Sequence, residues 1–308
     1  MSALPTLKQL QYLVALSAHL NFTRAAEACF VTQSTLSAGL KELEDILGAQ
    51  LVERDRQSVL MTPIGLDIAA RARDILAATQ DLADRAARSD APMSGALRLG
   101  IIPTIAPFLL PASLRLLRER YPRLRLTLRE DLTTHLIERL NAGQLDLALI
   151  ALPFATDTLH VEPLFADPLW LVGRSDEPLL QRDPLTLTPE VVERLLLLED
   201  GHCLRDHTLQ ACAKPARQSP GAVEATSLLT LLQMVESGLG LALVPEMAAN
   251  SRLADGPGLC ARPLAAPGPL RTIALVARRS TSRIDELKAL GALMQEAAGR
   301  TGAQQSAL

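Results

Sequence analysis

A change of hydrophobic period near residue 91 constrains this chain more than any other feature. Before it, apolar residues recur at helical spacing; after it, short apolar strands alternate with amphipathic helices. Two modules of different construction are implied, joined at Ala91-Pro92-Met93-Ser94-Gly95, a linker by composition. The length of 308 residues agrees, at about 150 residues per domain. With 48% hydrophobic and 21% charged residues the chain can bury a normal core, which excludes disorder for most of it. The longest apolar stretches, such as Leu195–Leu198 and Leu239–Val244, fall far short of the ~20 residues that span a bilayer. Met1-Ser2-Ala3-Leu4-Pro5 shows no basic stretch leading into an apolar one. A cytoplasmic protein without a membrane partner is the expectation. Four cysteines are too few for a disulfide-stapled scaffold, so any disulfide is expected to be transient or sensory.

In the first module, Leu10, Leu13, Val14 and Leu20 predict a helix over Thr6–His19. Asn21 or Thr23 can cap a second over Arg24–Cys29, where Ala25-Ala26 permits close packing. After a turn at Phe30-Val31, Thr32 caps a third helix, Gln33–Leu47, closed by Gly48. Leu36, Leu40, Leu43 and Leu47 form its apolar stripe, while Gln33, Ser34, Thr35, Ser37 and Lys41 project elsewhere. Two helices joined by a short turn are a helix-turn-helix, whose second helix enters a major groove. Gln reads adenine edges, Ser and Thr read either base type, and the helix N-terminus favours phosphate. Thr32, Gln33, Ser34, Thr35, Ser37 and Lys41 are therefore candidate DNA contacts, as are Arg54 and Arg56 at the tip of a predicted hairpin over residues 51–62. The bland reading is a small helical core with a polar surface. Residues 1–90 hold 9 basic and 11 acidic side chains, so DNA binding rests on motif geometry and not on charge.

Pro63 opens a long helix to about Ser89. Along it Ile68, Ala72, Ile75, Thr79, Leu82 and Ala86 alternate in steps of four and three, a heptad seam that asks for a partner helix. A dimer on a two-fold site in double-stranded DNA follows, unless the seam packs on the same chain. Beyond the linker, strands are predicted at Leu97–Ile102, Leu124–Leu128, Leu147–Ala151, Leu169–Val172, Leu195–Leu198, Gly240–Val244 and Thr272–Ala277. Helices fall at Pro107–Arg120, Thr134–Asn141, Ser227–Glu236 and Ser282–Ala298. This alternation predicts an α/β fold with parallel strands and a ligand cleft at strand C-termini, where Thr104 sits. Some 200 residues suffice for two lobes. The expected division is 1–62, 63–90 and 91–308.

Phe22-Thr23-Arg24-Ala25-Ala26-Glu27, Thr32-Gln33-Ser34-Thr35-Leu36-Ser37 and Leu43-Glu44…Leu47-Gly48 resemble the LysR-type transcriptional regulators. The resemblance runs the full length. It implies a winged helix-turn-helix with a linker helix, then a two-lobed, periplasmic-binding-protein-like α/β effector domain. Leu198-Glu199-Asp200-Gly201-His202-Cys203-Leu204-Arg205-Asp206, with Cys212 nine residues after Cys203, resembles the peroxide-sensing, OxyR-type members, as do Ile102-Pro103-Thr104, Leu145-Asp146, Ala225-Thr226-Ser227 and Arg271-Thr272-Ile273. The resemblance implies Cys203 as peroxidatic and Cys212 as resolving cysteine, with Thr104, Thr133, His202 and Arg271 around hydrogen peroxide; Thr134 competes with Thr133. It also implies a homotetramer built from dimers, contact with RNA polymerase and control of antioxidant genes. Three positions depart from the family: Gln57 and Ser58 replace a basic pair in the wing, and Ser34 stands where proline is common.

Peroxide reacts with thiolate, so Cys203 is expected to have a lowered pKa, with His202, Arg205 and a helix N-terminus at hand. Were residues 203–212 helical, nine steps of ~1.5 Å would part the cysteines by ~13 Å, beyond the ~7 Å a disulfide tolerates. Oxidation would then force a local rearrangement. Four alternatives stay open: two unrelated core thiols; a metal site from His202, Cys203, His207 and Cys212; a cysteine hydrolase; and a regulator that binds a small organic effector beside Thr104. No cofactor, metal or enzymatic activity is expected, and Cys29 and Cys260 match no sensing position.

Overall fold

In the computed structural model the described residues are 4–54, 59–86, 93–212, 224–251 and 258–305. Arg56, at the expected hairpin tip, and Ala91-Pro92 of the linker lie outside them. The chain divides into two compact units, residues 1–88 with 141–144, and residues 89–140 with 145–308.

The first unit holds α1 (Leu7–His19), α2 (Phe22–Ala28), α3 (Gln33–Leu47), β1 (Val52–Arg54), β2 (Val59–Met61) and α4 (Pro63–Ala86). Thr6 and Gln9 form a reciprocal capping box at the start of α1. The Asn21 side chain accepts from Arg24 N at 3.0 Å, so α2 starts at Phe22, two residues earlier than expected. Thr32 caps α3, and Gly48, at φ 64°, closes it in the left-handed region. Leu13, Leu16, Leu36, Leu40 and Leu43 build the core. Leu47, assigned to that stripe from sequence, is instead 37% exposed. Helices α1 and α3 approach so closely at Gly39 that a β-carbon there would lie 2.8 Å from the Tyr12 ring. The Glu44 carboxylate accepts from Leu51 N (2.8 Å) and Val52 N (3.1 Å), tying α3 to the antiparallel hairpin of β1 and β2. On α4, Ala72 of the seam is buried, whereas Ile75 and Leu82 are exposed.

The second unit contains β3 (Gly95–Ile101), α5 (Ala106–Arg120), β4 (Leu124–Glu130), α6 (Thr133–Asn141), β5 (Leu147–Leu152), β6 (Leu159–Arg174), α7 (Pro189–Glu193), α8 (Cys203–Ala211), α9 (Leu228–Glu236), β7 (Ala242–Pro245), α10 (Glu246–Ala249), β8 (Leu259–Pro263), β9 (Leu270–Arg278) and α11 (Ile284–Gln305). The sheet order is β4-β3-β5-β9-β6-β7, with β8 also on β6. Strand β3 runs parallel to β4 and β5, but β9 is antiparallel to both β5 and β6. The all-parallel expectation therefore fails at the strand that returns from the second lobe. The 16-residue β6 is too long for one lobe: Leu159–Pro168 pairs with β9 in the first, and Leu169–Arg174 with β7 and β8 in the second.

Each lobe has its own core, one around Leu99, Ile101, Leu149 and Leu275 and the other around Leu171, Leu231, Leu243 and Val244. The predicted strand Leu195–Leu198 is reduced to single bridges, Leu195 to Leu241 and Leu198 to Ala225. The first half of β6 escaped sequence reading because Pro163, Asp167 and Pro168 interrupt its alternation.

Candidate functional site

Gly201 adopts φ 95°, a backbone that only glycine enters freely, and turns the chain into α8. His202 is the N-cap and Cys203 the first helical residue. Cys203 packs into the core of the first lobe while Leu204, next to it, packs into that of the second. The thiol thus lies at the lobe junction.

Arg271 on β9 and Asp167 on β6 face each other in register where β6 passes between lobes. Arg271 is fully buried and Asp167 nearly so. Its Nε and Nη2 donate to Asp167 Oδ2 at 3.0 and 2.9 Å. Nη1 donates to Thr104 Oγ1 at 2.8 Å and Nη2 to the Thr104 carbonyl at 3.0 Å. Met247 N donates to Asp167 Oδ1 at 3.2 Å. A buried cation is held here by a carboxylate and by hydrogen bonds, as burial of charge demands.

Thr133 starts α6, is buried beside the Cys203 thiol, and its Oγ1 has no hydrogen bond of normal geometry among the described residues. Thr134, its competitor in the sequence, is exposed. The fold therefore gathers Cys203, Thr133, Thr104 and Arg271. His202 is buried too, but it is directed to the Thr226 backbone and toward Glu199, with Nε2 3.9 Å from Oε1.

Burial pushes the Cys203 thiol above its ordinary pKa, and Asp206 adds to this; the Arg271 charge, the Thr133 hydroxyl and the Leu204 amide pull it back only in part. This corrects the expected lowered value. The two side chains credited with lowering it do other work. Arg205 donates to Asp200, Glu224 and the Leu198 carbonyl, each at 2.8 Å. His202 has its pKa lowered, mainly by burial, and is neutral at pH 7. The resting group is a protonated thiol whose cationic neighbour is Arg271.

Helix α8 runs unbroken from Cys203 to Ala211, and the Cys212 amide donates to the Thr208 and Leu209 carbonyls, both at 3.2 Å. Both thiols are free and buried. Nine helical steps part them by about 13 Å. Three contributors had no signal of their own in the sequence: Asp167, Met247 and Pro153. His207 had one, lying a helical turn after Cys203, among side chains that could hold a metal. It is buried, and Nε2 lies 3.3 Å from the Pro153 carbonyl. No group of three or more potential metal ligands occurs among the described residues.

In the first unit, Thr32, Gln33, Ser34, Thr35 and Lys41 are exposed and Ser37 half-buried. The Thr32 hydroxyl is engaged with Thr35 N (3.2 Å), Ser34 Oγ (2.9 Å) and Thr35 Oγ1 (2.8 Å). Arg54 ends β1 opposite Val59. Among the described residues no helix is long and apolar enough to cross a membrane.

Residues 7–66 match the bacterial regulatory helix-turn-helix protein, lysR family, and residues 90–299 the LysR substrate binding domain. The chain is 45% identical over 283 residues to the HTH-type transcriptional regulator EstR of Acinetobacter baylyi, covering 91% of this chain and 93% of that protein. It is 40% identical over 273 residues to a hydrogen peroxide-inducible genes activator of Dickeya chrysanthemi (88% and 89% covered). With the DNA-binding transcriptional dual regulator OxyR of Escherichia coli K12 identity is 38% over 285 residues (91% and 93%). Among solved structures, a full-length OxyR cysteine variant from Pseudomonas aeruginosa aligns with TM-score 0.71 and 35% identity, covering 95% of this chain and 98% of that one. A hydrogen-peroxide-bound cysteine variant of Corynebacterium glutamicum OxyR aligns at 0.67 and 33% (100% and 97%). A helix-turn-helix unit, a two-lobed mixed-sheet unit and full-length relatives agree: the chain belongs to the LysR family of DNA-binding transcriptional regulators, and resembles its OxyR members.

Proposed function

We propose that this regulator senses hydrogen peroxide through Cys203. One observation carries the reading: a buried thiol at the lobe junction lies beside the Thr133 hydroxyl and the Arg271–Thr104 pair, nine residues from a second buried thiol. Thr104 Oγ1 accepts from Arg271, so its own hydrogen is left to donate to a peroxide oxygen, and Thr133 can donate or accept. Arg271 stabilises the thiolate as it forms, and His202 positions Cys203 at the start of α8. Thiolate attack on one peroxide oxygen breaks the O–O bond, leaving a Cys203 sulfenic acid and a hydroxide that takes up the proton released by the thiol and becomes water. The Cys212 thiol then condenses with it, expelling a second water as the disulfide forms. With the two α-carbons about 13 Å apart along the helix, the sulfurs cannot bond while α8 is intact, so the helix must unwind. That change of packing is the switch.

The remaining features fit a regulator of antioxidant genes in the cytoplasm. Gln33, Ser34, Thr35, Ser37 and Lys41 on α3, helped by Thr32, Arg54 and Arg56, meet a promoter site of two-fold symmetry. Residues 1–62 bind DNA, 63–90 pair protomers through α4, and 91–308 sense. Two dimers form a tetramer that contacts RNA polymerase. Several relatives described as hydrogen peroxide-inducible genes activators support this reading. The test is mass spectrometry after a brief stoichiometric peroxide pulse, with free thiols alkylated at quench. A Cys203–Cys212 linked peptide is expected in wild type and not in Cys203→Ser. A Cys203 that stays free in a folded protein refutes the proposal. The second reading, a small organic effector beside Thr104, draws on the 45% identity to EstR, and predicts no response to that pulse.

A further inference from the structure

His207 is a buried side chain on α8 that can titrate near neutral pH and that this chemistry leaves unused. Its Nε2 faces the Pro153 carbonyl at 3.3 Å, and a carbonyl can only accept. The neutral ring therefore carries its hydrogen on Nε2, which leaves Nδ1 as a lone-pair acceptor. Nδ1 is buried and has no hydrogen-bond partner among the described residues. His207 lies one turn after Cys203, on the same face of the same helix, and side chains on a helix lean toward the preceding turn. Both residues feel the Arg271 charge. An acceptor without a donor thus stands beside a thiol that must lose a proton and has no base assigned to receive it.

We infer that His207 Nδ1 accepts the proton released when Cys203 reacts with peroxide. The inference rests on the sensing role proposed for Cys203. No direct bond joins Nδ1 to the thiol in the resting fold, so the bound peroxide bridges them. The S–H proton moves to the peroxide as a peroxide proton moves to Nδ1. The thiolate electron pair then attacks one oxygen, the O–O bond breaks, and the other oxygen leaves as hydroxide. Hydroxide takes the proton back from Nδ1 and becomes water. Sulfur is oxidised by two electrons to S–OH, peroxide is reduced, and the ring ends neutral. Burial, the chief cause, and the Arg271 charge hold the ring below its ordinary pKa, so that it is unprotonated near neutral pH, although the Pro153 carbonyl and, less, Asp206 oppose them. A base is in place without a preformed thiolate.

The test is the initial rate of Cys203 oxidation in the full-length protein between pH 5 and 8, read by trapping the sulfenic acid and mass spectrometry. Wild type is expected to slow as pH falls through the imidazole titration. His207→Gln keeps an N–H for the Pro153 carbonyl but offers no titratable acceptor. It should react about 10²-fold more slowly at pH 7, the usual worth of a general base, and lose the acid limb. His207→Ala should regain rate with added imidazole. A glutamine variant that reacts at the wild-type rate, or slows but keeps the acid limb, overturns the inference, as does an alanine variant that imidazole does not rescue. If wild-type Cys203 is not oxidised at all, the sensing role itself falls and takes this inference with it. If wild type reacts and the glutamine variant reacts equally, only the inference falls.

Discussion

Arg271→Met separates the stability of the lobe junction from the reactivity of Cys203. Arg271 is fully buried and Asp167 is 3% exposed, so removing the guanidinium strands a carboxylate with only the Met247 amide for company. Breaking one partner of a buried pair costs about 3–5 kcal/mol. For a unit of this size each kcal/mol moves the melting midpoint by roughly 2–4 °C, so the midpoint should drop by roughly 6–20 °C. In the double variant Arg271→Met with Asp167→Leu no charge is left unpaired. What remains is the loss of hydrogen bonds to Thr104 Oγ1, the Thr104 carbonyl and Met247 N, worth about 1–3 kcal/mol if they stay unsatisfied. The double variant should therefore be more stable than Arg271→Met alone. Its Cys203 should nevertheless stay sluggish toward peroxide, because the cation that pulls the thiol pKa down is gone from both. Urea unfolding followed by the fluorescence of Trp170, the single tryptophan, measures the first quantity. Alkylation-quenched mass spectrometry measures the second. A double variant no more stable than the single, or one that reacts at the wild-type rate, would refute the reasoning.

Burial holds His202 and His207 below the ordinary imidazole pKa. The stability gained by keeping both neutral is complete above about pH 6.5 and is lost as pH falls below it, because only the unfolded chain then binds the protons. The urea midpoint should fall from pH 7.5 to 5.5, and fall less in His202→Gln; equal falls would show that His202 contributes nothing. Peroxide should reduce the far-UV helical signal of wild type through loss of α8 but leave Cys203→Ser unchanged, and an unchanged wild-type spectrum with a formed disulfide would contradict the unwinding. Gln33→Ala should weaken binding to the cognate DNA site by about 1–3 kcal/mol in fluorescence anisotropy. Thr32→Ala should instead lower stability by about 1 kcal/mol, since its hydroxyl caps α3; the reverse ranking would exchange their roles. Leu82→Glu places a charge on an exposed apolar position of α4 and should shift sedimentation toward smaller species; an unchanged profile would remove α4 from the pairing surface.

What could be read from sequence follows from how local each interaction is. Helix α3 was legible at both ends because its signals, Thr32 and Gly48, act within a turn of the residues they cap. Strands β3 and β5 were legible as compact apolar runs. Strand β6 was legible only in its second half, because its first half crosses the lobe junction carrying Pro163, Asp167 and Pro168, and its reason for being a strand is the partner β9 more than 100 residues later. Leu47 misled for a similar reason: the periodicity placed it on the stripe, but the core ends one turn before it.

For the candidate site, the sequence by itself determined which chemical groups are available: two cysteines nine residues apart in a helical segment, a histidine before the first, and Thr104, Thr133 and Arg271 through their motifs. Only the tertiary structure decided what state those groups are in. Burial between two cores makes Cys203 a protonated thiol instead of a thiolate, Asp167 and Thr104 claim Arg271, and the folding of residues 199–205 sends Arg205 to Asp200 and Glu224. The physical reason is that protonation depends on desolvation and on charges a few ångströms away. Those distances are set by strands and helices from distant parts of the chain, and no local pattern of residues records them.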